Sequence, residues 1–282
     1  MYKIKATLPS GKIVYIPEIN NGLYYDLHKH ILNEDYEGFY NCLNEHIAHS
    51  CPEIYDLNLL DKFYIYITLY TYCIKAELEL SSNIESFMQQ NTYSLFDTLE
   101  NIQDIKINDL VLDLDTKIGN AKCIITVPSQ LELIDNILTF NPLSGIKKIN
   151  INSQDYFIKS KEDKDTLALI LTSDNYNKII NEILKNYNYT LKIIENKIEL
   201  PLLSNFTFEY FAKSLYYSDM GYQMDLQYIF MRHLNVSPSE FKEMTPIDTN
   251  IFLLKFLKEK KEEQKAREET ENNHNSRNAL DL

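Results

Sequence analysis

Apolar and polar residues alternate in two short runs at the start of the chain, Lys3–Leu8 and Lys12–Pro17, on either side of a turn signal at 9–11. Alternation with a period of two around a turn predicts a β-hairpin. After the hairpin, apolar residues recur every three or four positions, which predicts two amphipathic helices. Their apolar positions are Leu23, Leu27 and Ile31 in the first helix and Phe39, Leu43 and Ile47 in the second.

The apolar segment Leu57–Tyr72 fits two structures. Its tyrosine, isoleucine and threonine residues favour a strand, whereas its length favours a helix. We expect a helix that leads into a strand near Ile74–Leu80. The segment is rich in tyrosine and threonine and is shorter than the roughly 20 apolar residues that cross a bilayer, so we expect no membrane span.

The periodicity is weak in the middle of the chain, between 81 and 200. Short apolar runs next to turn signals still predict strands and two helices there. The expected strands are Ile105–Ile107, Leu110–Leu114, Cys123–Val127, Ile146–Ile151 and Tyr156–Lys159, of which the last two form a pair. The expected helices run from Ser129 to the stop signal at Asn141-Pro142, and from Asp174 to Tyr187.

Two helix starts follow each other closely near the C-terminus. Ser237-Pro238-Ser239-Glu240 and Thr245-Pro246-Ile247-Asp248 each place a hydroxyl at the cap position, proline at the first helical position and a carboxylate at the third. The cap oxygen accepts a backbone N–H, and the carboxylate can accept the N–H of the cap residue itself. Proline fits because an N–H at its position would have no partner. We therefore expect sharp turns at Ser237 and Thr245.

The helix before these turns, Tyr222–Leu234, carries methionine and aromatic residues on several sides. A helix that is apolar all round is typical of a buried position, so we expect it to be buried on most sides. Core packing is then the simpler interpretation of Met224, Tyr228 and Met231. The alternative is that these side chains line a groove for a partner, since methionine adapts to varied binding surfaces.

The helix after Thr245 begins apolar and then becomes charged. Phe252, Leu253, Phe256 and Leu257 lie on one stripe, and the segment 258–263 that follows reads Lys-Glu-Lys-Lys-Glu-Glu. A helix of this kind either projects into solvent or pairs with a partner helix. The sequence is compatible with both arrangements.

Together these elements predict an α+β fold: an N-terminal β-hairpin with helices, a β-rich middle, and a C-terminal helical region that ends in a charged helix. We divide the chain into an N-terminal α+β domain at 1–127, a mixed α/β segment at 128–203, a C-terminal helical region at 204–270 and a disordered tail at 271–282. The tail is rich in asparagine and low in complexity, and such a composition cannot bury a core.

Composition and charge argue against several classes of function. The net charge of −13 argues against binding to nucleic acid, because phosphate contacts need clustered lysine and arginine. With only 6 glycines, no phosphate-binding glycine-rich motif can be written, which argues against most nucleotide-dependent enzymes. The chain starts without an apolar signal-peptide core, and its 4 cysteines lack disulfide or CxxC spacing. We expect reduced thiols in a cytoplasmic compartment, with no cofactor and no membrane.

The best candidate for a metal site combines Cys42, His46, His49 and Cys51. The first three are spaced to share one face of a helix, and the fourth lies just beyond its expected end. Zn²⁺ binds four such nitrogen and sulfur ligands in a tetrahedron. The simpler interpretation is that these histidines are packed core or edge residues, so we expect no metal.

Two further arrangements could carry catalysis. Cys42 and His46 lie one helical turn apart, but no third orienting group and no Gly-x-Ser-x-Gly elbow accompany them. Asp113 and Asp115 could form an acid pair or cation site on one strand face, although a solvated strand face is the simpler interpretation. We expect no catalytic residue and no enzymatic activity.

Several degenerate segments occur in an order that carries more information than any one of them. They are Leu8–Pro17, Leu59–Ile67 with its internal Asp-Lys-Phe, Met224–Leu234, Pro238–Phe241 and Met244–Asp248. In this order they resemble the T-even-type myophage baseplate hub family, covering about a third of the chain. The sequence departs from the family at Asp248, where glutamate is expected, and at Tyr72, where a more basic residue is expected. The middle of the chain carries no part of the resemblance.

The resemblance implies a non-enzymatic tail morphogenesis protein, either a structural component of the central baseplate hub or a factor that helps the hub assemble. Its place would be the virion baseplate, assembled in the host cytoplasm, with other hub proteins and the tape-measure protein as candidate partners. The matched motif supplies Met244, Thr245 and Pro246 as partner-binding residues, and spacing adds Phe252 and Phe256. Two alternatives stay open: a zinc-stabilised cytoplasmic protein, and a generic adaptor outside any virion.

Overall fold

The predicted N-terminal hairpin is the first element of an α+β fold. The computed structural model describes residues 2–84, 87–134, 137–187, 190–191, 200–201, 207–217 and 220–278. Strand β1 (Lys3–Thr7) pairs antiparallel with strand β2 (Ile13–Pro17). Ala6, Val14 and Ile16 are buried while their strand neighbours, apart from Pro17 at the end of β2, are exposed or half-buried, as a hairpin with one face on the core requires.

Three helices follow, and they confirm the helical predictions for this part of the chain. They are α1 (Asn21–Leu32), α2 (Tyr36–Ala48) and α3 (Leu59–Cys73), with a short 3₁₀ turn at Pro52–Asp56 before α3. Every residue of α3 except Tyr72 is buried. A helix surrounded by the core has no polar face, which is why the sequence alone left its type open.

Antiparallel sheets and further helices form the middle of the chain. In chain order the elements are β3 (Glu77–Ile84), β4 (Phe87–Ser94), α4 (Leu95–Gln103), β5 (Leu110–Thr116), β6 (Gly119–Ile125), β7 (Leu131–Ile134), β8 (Ile137–Phe140), β9 (Ile146–Ile151), β10 (Gln154–Phe157), α5 (Lys161–Ile170) and α6 (Ser173–Tyr187). Four strands form one sheet in the order β10-β9-β6-β5. The structure confirms the predicted strand at 110–114, the predicted strand pair after 146 and the predicted helix from 174. The strand predicted near Ile74–Leu80 begins at Glu77.

Two predictions for the middle are wrong, and two helices, α4 and α5, were not predicted. The segment from Ser129 is the hairpin β7–β8 rather than a helix, and Leu138 and Phe140 reach the core from alternate positions of β8. Short apolar runs fit either structure, and here strand pairing decides. Ile105–Ile107 has no strand partner; its isoleucines pack against the core from irregular backbone. Helix α5 was missed because its start, Lys-Glu-Asp-Lys-Asp, is too polar to show a stripe.

The C-terminal part is helical, as predicted. Its elements are the short strand pair β11 (Thr190–Leu191) and β12 (Leu200–Pro201), then α7 (Thr207–Tyr216), α8 (Met220–His233), α9 (Pro238–Glu243) and α10 (Pro246–Asn278). The backbone of α10 is helical up to Asn278. The disordered tail at 271–282 stays a prediction, as do the domain boundaries.

Buried apolar side chains form one large cluster that extends from Ala6 in β1 to Tyr216 in α7. Within it, α7 inserts Phe208 between rings of α2 and α3: its centroid lies 5.8 Å from that of Phe39 and 6.2 Å from that of Phe63. A second, small cluster of Leu226, Phe230 and Phe241 lies in α8 and α9. Helices α8 and α9 therefore pack on a core of their own at the edge of the main one.

Candidate partner-binding site

Helices α8, α9 and the start of α10 form a unit whose two internal turns are fixed by capping, as predicted. At Ser237 the hydroxyl oxygen accepts the Glu240 N–H at 3.3 Å, and the Glu240 carboxylate accepts the Ser237 N–H at 2.8 Å. These two bonds make a reciprocal capping box that starts α9. At Thr245 the hydroxyl oxygen accepts the Asp248 N–H at 3.2 Å and donates to the Asp248 carboxylate at 2.8 Å. This cap starts α10.

The cap at Thr245 predicts a measurable local effect. Thr245→Ala should lower the stability of the first turn of α10 by about 1 kcal/mol, because the Asp248 N–H loses its acceptor. Thr245→Ser keeps the hydroxyl and should stay close to the parent chain. Hydrogen exchange of the Asp248 amide measures the difference, which we expect to be about fivefold for alanine. Equal exchange rates in the alanine and serine variants would contradict this role.

The turn between α9 and α10 is held against the start of α1 by one buried asparagine. The Asn21 side-chain amide donates to the Phe241 carbonyl at 2.9 Å and to the Thr249 hydroxyl at 2.7 Å. The Asn21 backbone N–H donates to the Met244 carbonyl at 2.8 Å. These bonds join residues about 220 positions apart. They fix where α10 leaves the body of the protein.

The residues carried over from the resemblance occupy this internal contact. Thr245 and Pro246 are buried and Met244 is half-buried, with its carbonyl bonded to Asn21. Phe252 is 51% exposed, whereas Phe256 is half-buried with its ring 5.6 Å from that of His233. Phe252 therefore reaches the surface, and the other four support the helices. Their role in partner binding stays a prediction.

The expectation that α8 is buried on most sides is wrong. Leu226 and Phe230 pack against α9, but Met224, Tyr228 and Met231 on the opposite side are 55%, 56% and 45% exposed. The helix lies at the outside of the fold and carries one apolar stripe on each of two faces, so its sequence looks like that of a buried helix. The exposed stripe favours the alternative of a partner surface, because a contiguous exposed apolar row marks interaction sites.

Helix α10 leaves the body soon after its start. Thr249 is buried and Leu253 is half-buried, whereas Ile251 and Leu254 are 45% and 67% exposed. From Leu257 to Glu269 every residue is exposed. Both arrangements that the sequence allows, projection into solvent and pairing with a partner helix, stay predictions.

The four candidate zinc ligands are not brought together. Helix α2 ends at Ala48, so His49 lies at its end, where its Nδ1 bonds the Glu45 carbonyl at 2.7 Å. The Nε2 of His46 bonds the Glu18 carbonyl at 3.0 Å. Over the described ranges, no group of three or more histidine, cysteine or acidic side chains is placed to hold a metal ion.

Burial controls the chemistry of the thiols. It raises the pKa of Cys51 to about 11 and the pKa of Cys73 and Cys123 to about 12, and it also raises the pKa of the half-buried Cys42. A nucleophilic cysteine needs a lowered pKa, so the pair of Cys42 and His46 lacks thiol activation.

The raised thiol pKa values predict slow labelling of the folded protein. At about pH 8 we expect no more than one fast-reacting thiol, Cys42, with a disulfide reagent, and all four after unfolding. Because folding raises these pKa values, the stability contributed by the buried thiols is present below their unfolded pKa near 9 and is lost as pH rises through 11 to 12. Two or more fast thiols in the native chain would contradict the burial.

Asp113 and Asp115 lie on the exposed face of β5. Lys122 is directly opposite Asp113 on β6, and the Lys178 ammonium donates to the Asp113 carbonyl. Two lysines thus lie next to the first aspartate, and both aspartates are exposed. The arrangement fits the simpler interpretation of a solvated strand face.

The Asp-Lys-Phe triplet in α3 has a structural role that its sequence did not reveal. The buried Asp61 carboxylate accepts the Ser10 N–H of the hairpin turn at 3.0 Å. The buried Lys62 ammonium donates to the Ser129 carbonyl at 2.8 Å, and burial lowers its pKa to about 8. Phe63 enters the aromatic core. The triplet thus joins the first hairpin, the segment before β7 and α7.

Comparisons with protein-family models, with curated proteins and with solved structures find no match to this chain. In the portion of the chain that the structure describes, no helix is long and apolar enough to cross a membrane.

Proposed function

We propose that this chain is a non-enzymatic bacteriophage tail morphogenesis protein, acting as a structural component or an assembly factor of the central baseplate hub. It binds other hub proteins, with the tape-measure protein as a further candidate. Its place is the virion baseplate, assembled in the host cytoplasm. Its task is to present a partner-binding surface rather than to catalyse a reaction.

One observation carries most of the proposal. Three of the segments that resemble the hub family, 224–234, 238–241 and 244–248, fold into a single unit of capped helices at the edge of the core. The outer face of that unit exposes Met224, Tyr228 and Met231 in a row. Large apolar side chains arranged in this way favour a protein partner over a small-molecule substrate.

The generic adaptor remains the competing function, because the same surface would serve it equally well. The two differ in the identity of the partner. The positions of Cys42, His46, His49 and Cys51 give the zinc-stabilised alternative no support. The imidazoles of the two histidines bond backbone carbonyls of the chain itself.

Affinity purification from infected cells tests the proposal and its surface together. The tagged parent chain should recover hub or tape-measure proteins. A variant with Met224, Tyr228 and Met231 each replaced by aspartate should lose them, since charge on this row opposes burial against a partner. The matched control carries the same change at three exposed apolar positions outside α8, namely Val111, Phe157 and Leu169.

Each result of that purification has one meaning. Loss of the hub proteins by the α8 variant but not by the control supports the function and the surface. Equal recovery by both variants contradicts the surface. Recovery of host proteins alone by the parent chain contradicts the function and supports the adaptor.

A further inference from the structure

The outward face of α10 carries a regular stripe of exposed side chains that points away from the neighbouring helices. Its residues are Ile251, Leu254, Lys258, Lys261 and Lys265, and all five are exposed. Their spacing of three and four residues is that of the seam along which two helices pair in a coiled coil. The opposite side of the helix, with Thr249 and Leu253, faces the body. The seam therefore points away from the rest of the chain.

The charge along this seam is specific. Two apolar positions are followed by three lysines, in a chain whose net charge is −13. The ion pair described on this helix, between Lys260 and Glu263 at 2.8 Å, lies off the seam. Lysine at a seam position lowers the stability of self-pairing and specifies which partner and register are accepted.

A second copy of this chain is a poor occupant of the seam. In a parallel pair, Lys258, Lys261 and Lys265 would each face the same lysine, and like charges at close range repel. In an antiparallel pair aligned along the whole seam, lysines would face one another at its centre. A helix with acidic side chains at the matching positions removes both problems.

We propose that the seam of α10 pairs with a helix of a different protein, one that places apolar side chains against Ile251 and Leu254 and aspartate or glutamate against the three lysines. This inference deepens the proposed function by giving the chemistry of the partner. It rests on that function only in taking the partner from among the hub proteins.

A designed peptide tests the pairing on the full-length chain. The probe is a synthetic helix of about four heptads with leucine at two seam positions followed by glutamate at three, made in both chain directions. The matched peptide has lysine in place of the three glutamates. By fluorescence anisotropy at about 50 mM salt, we expect one glutamate probe to bind at least about tenfold more tightly than the lysine peptide, and added salt to reduce the difference. Affinities within twofold of each other would overturn the proposal.

Charge reversal provides the second arm of the test. A variant with Lys258, Lys261 and Lys265 changed to glutamate should exchange the preference and bind the lysine peptide. A control with the same change in net charge has glutamate at three exposed lysines elsewhere, Lys3, Lys5 and Lys106, and should keep the parent preference. The same loss in both variants would assign the effect to overall charge and overturn the proposal.

Light scattering of the purified chain tests whether a second copy of the chain occupies the seam. We expect a monomer across the concentrations used for the binding assay. A dimer that dissociates on Leu254→Lys would show that a second copy occupies the seam and would overturn the proposal. None of these assays uses phage proteins, so their failure is distinct from a failure to find the chain among hub proteins.

Discussion

Phe208→Ala should lower the free energy of unfolding by about 3–5 kcal/mol, the largest effect we expect from any single substitution considered for this chain. The ring is buried and lies edge-on to Phe39 and Tyr40, with centroids 5.8 and 5.3 Å away, and 6.2 Å from Phe63. Its removal leaves a cavity between α2, α3 and α7 that the surrounding helices can only partly close.

Urea unfolding followed by circular dichroism measures this effect, after coincidence with a fluorescence transition has shown a single step. The matched control is Phe157→Ala in β10, where the ring is 59% exposed and a change within about 1 kcal/mol is expected. A loss no larger at Phe208 than at Phe157 would mean that α7 does not pack into the core as described.

Asn21→Leu should have the next largest effect, about 2–4 kcal/mol, because it removes one donor group that serves two buried acceptors. The Phe241 carbonyl would lose its side-chain donor, and the Thr249 hydroxyl would lose one of its two bonds. Leucine fills a similar volume, so the cost comes from the lost hydrogen bonds to two buried acceptors rather than from a cavity. The effect should concentrate where α9 and α10 meet the body.

Hydrogen exchange with peptide resolution is the measurement for this variant. Exchange in α9 and in the first turns of α10 should rise much more than exchange in α3, because the C-terminal unit loses its attachment while the main core stays intact. The control, Asn33→Leu at the exposed end of α1, should leave both regions unchanged. A uniform rise across the chain would show that Asn21 supports the whole fold instead.

Elements with local chemical signals were predictable from the sequence. The first hairpin has alternation and a turn signal, and the starts of α9 and α10 have hydroxyl caps with a carboxylate three residues later. These signals lie within a few residues of one another. They act before tertiary packing and are confirmed in the structure.

Other elements depended on packing that no local pattern encodes. Helix α3 has no polar face because the core surrounds it, and hairpin β7–β8 has apolar spacing that also fits a helix. Helix α8 exposes Met224, Tyr228 and Met231 although the row looks like core. The contacts around α3 come from distant parts of the chain, whereas β7 pairs with its neighbour β8 and α8 packs on the nearby α9.

The candidate site was predictable only in part. The capped turns that shape it were visible. Of the two phenylalanines named from spacing, Phe252 is exposed and Phe256 is half-buried. The sequence does not identify Asn21 as the residue that attaches the site to the body, because its hydrogen-bond partners lie about 220 positions away. The spacing of the lysine seam of α10 can be counted in the sequence. The sequence does not show that the seam is the outer face, because this depends on Thr249 and Leu253 packing against the body from the opposite side.

Mass spectrometry of purified virions, together with pull-downs from infected cells, tests the central claim most directly. The proposed function predicts that the chain is found in virions at low copy number, as a hub component, or in lysates bound to hub or tape-measure proteins, as an assembly factor. Its absence from virions and from every complex of tail proteins would contradict the claim.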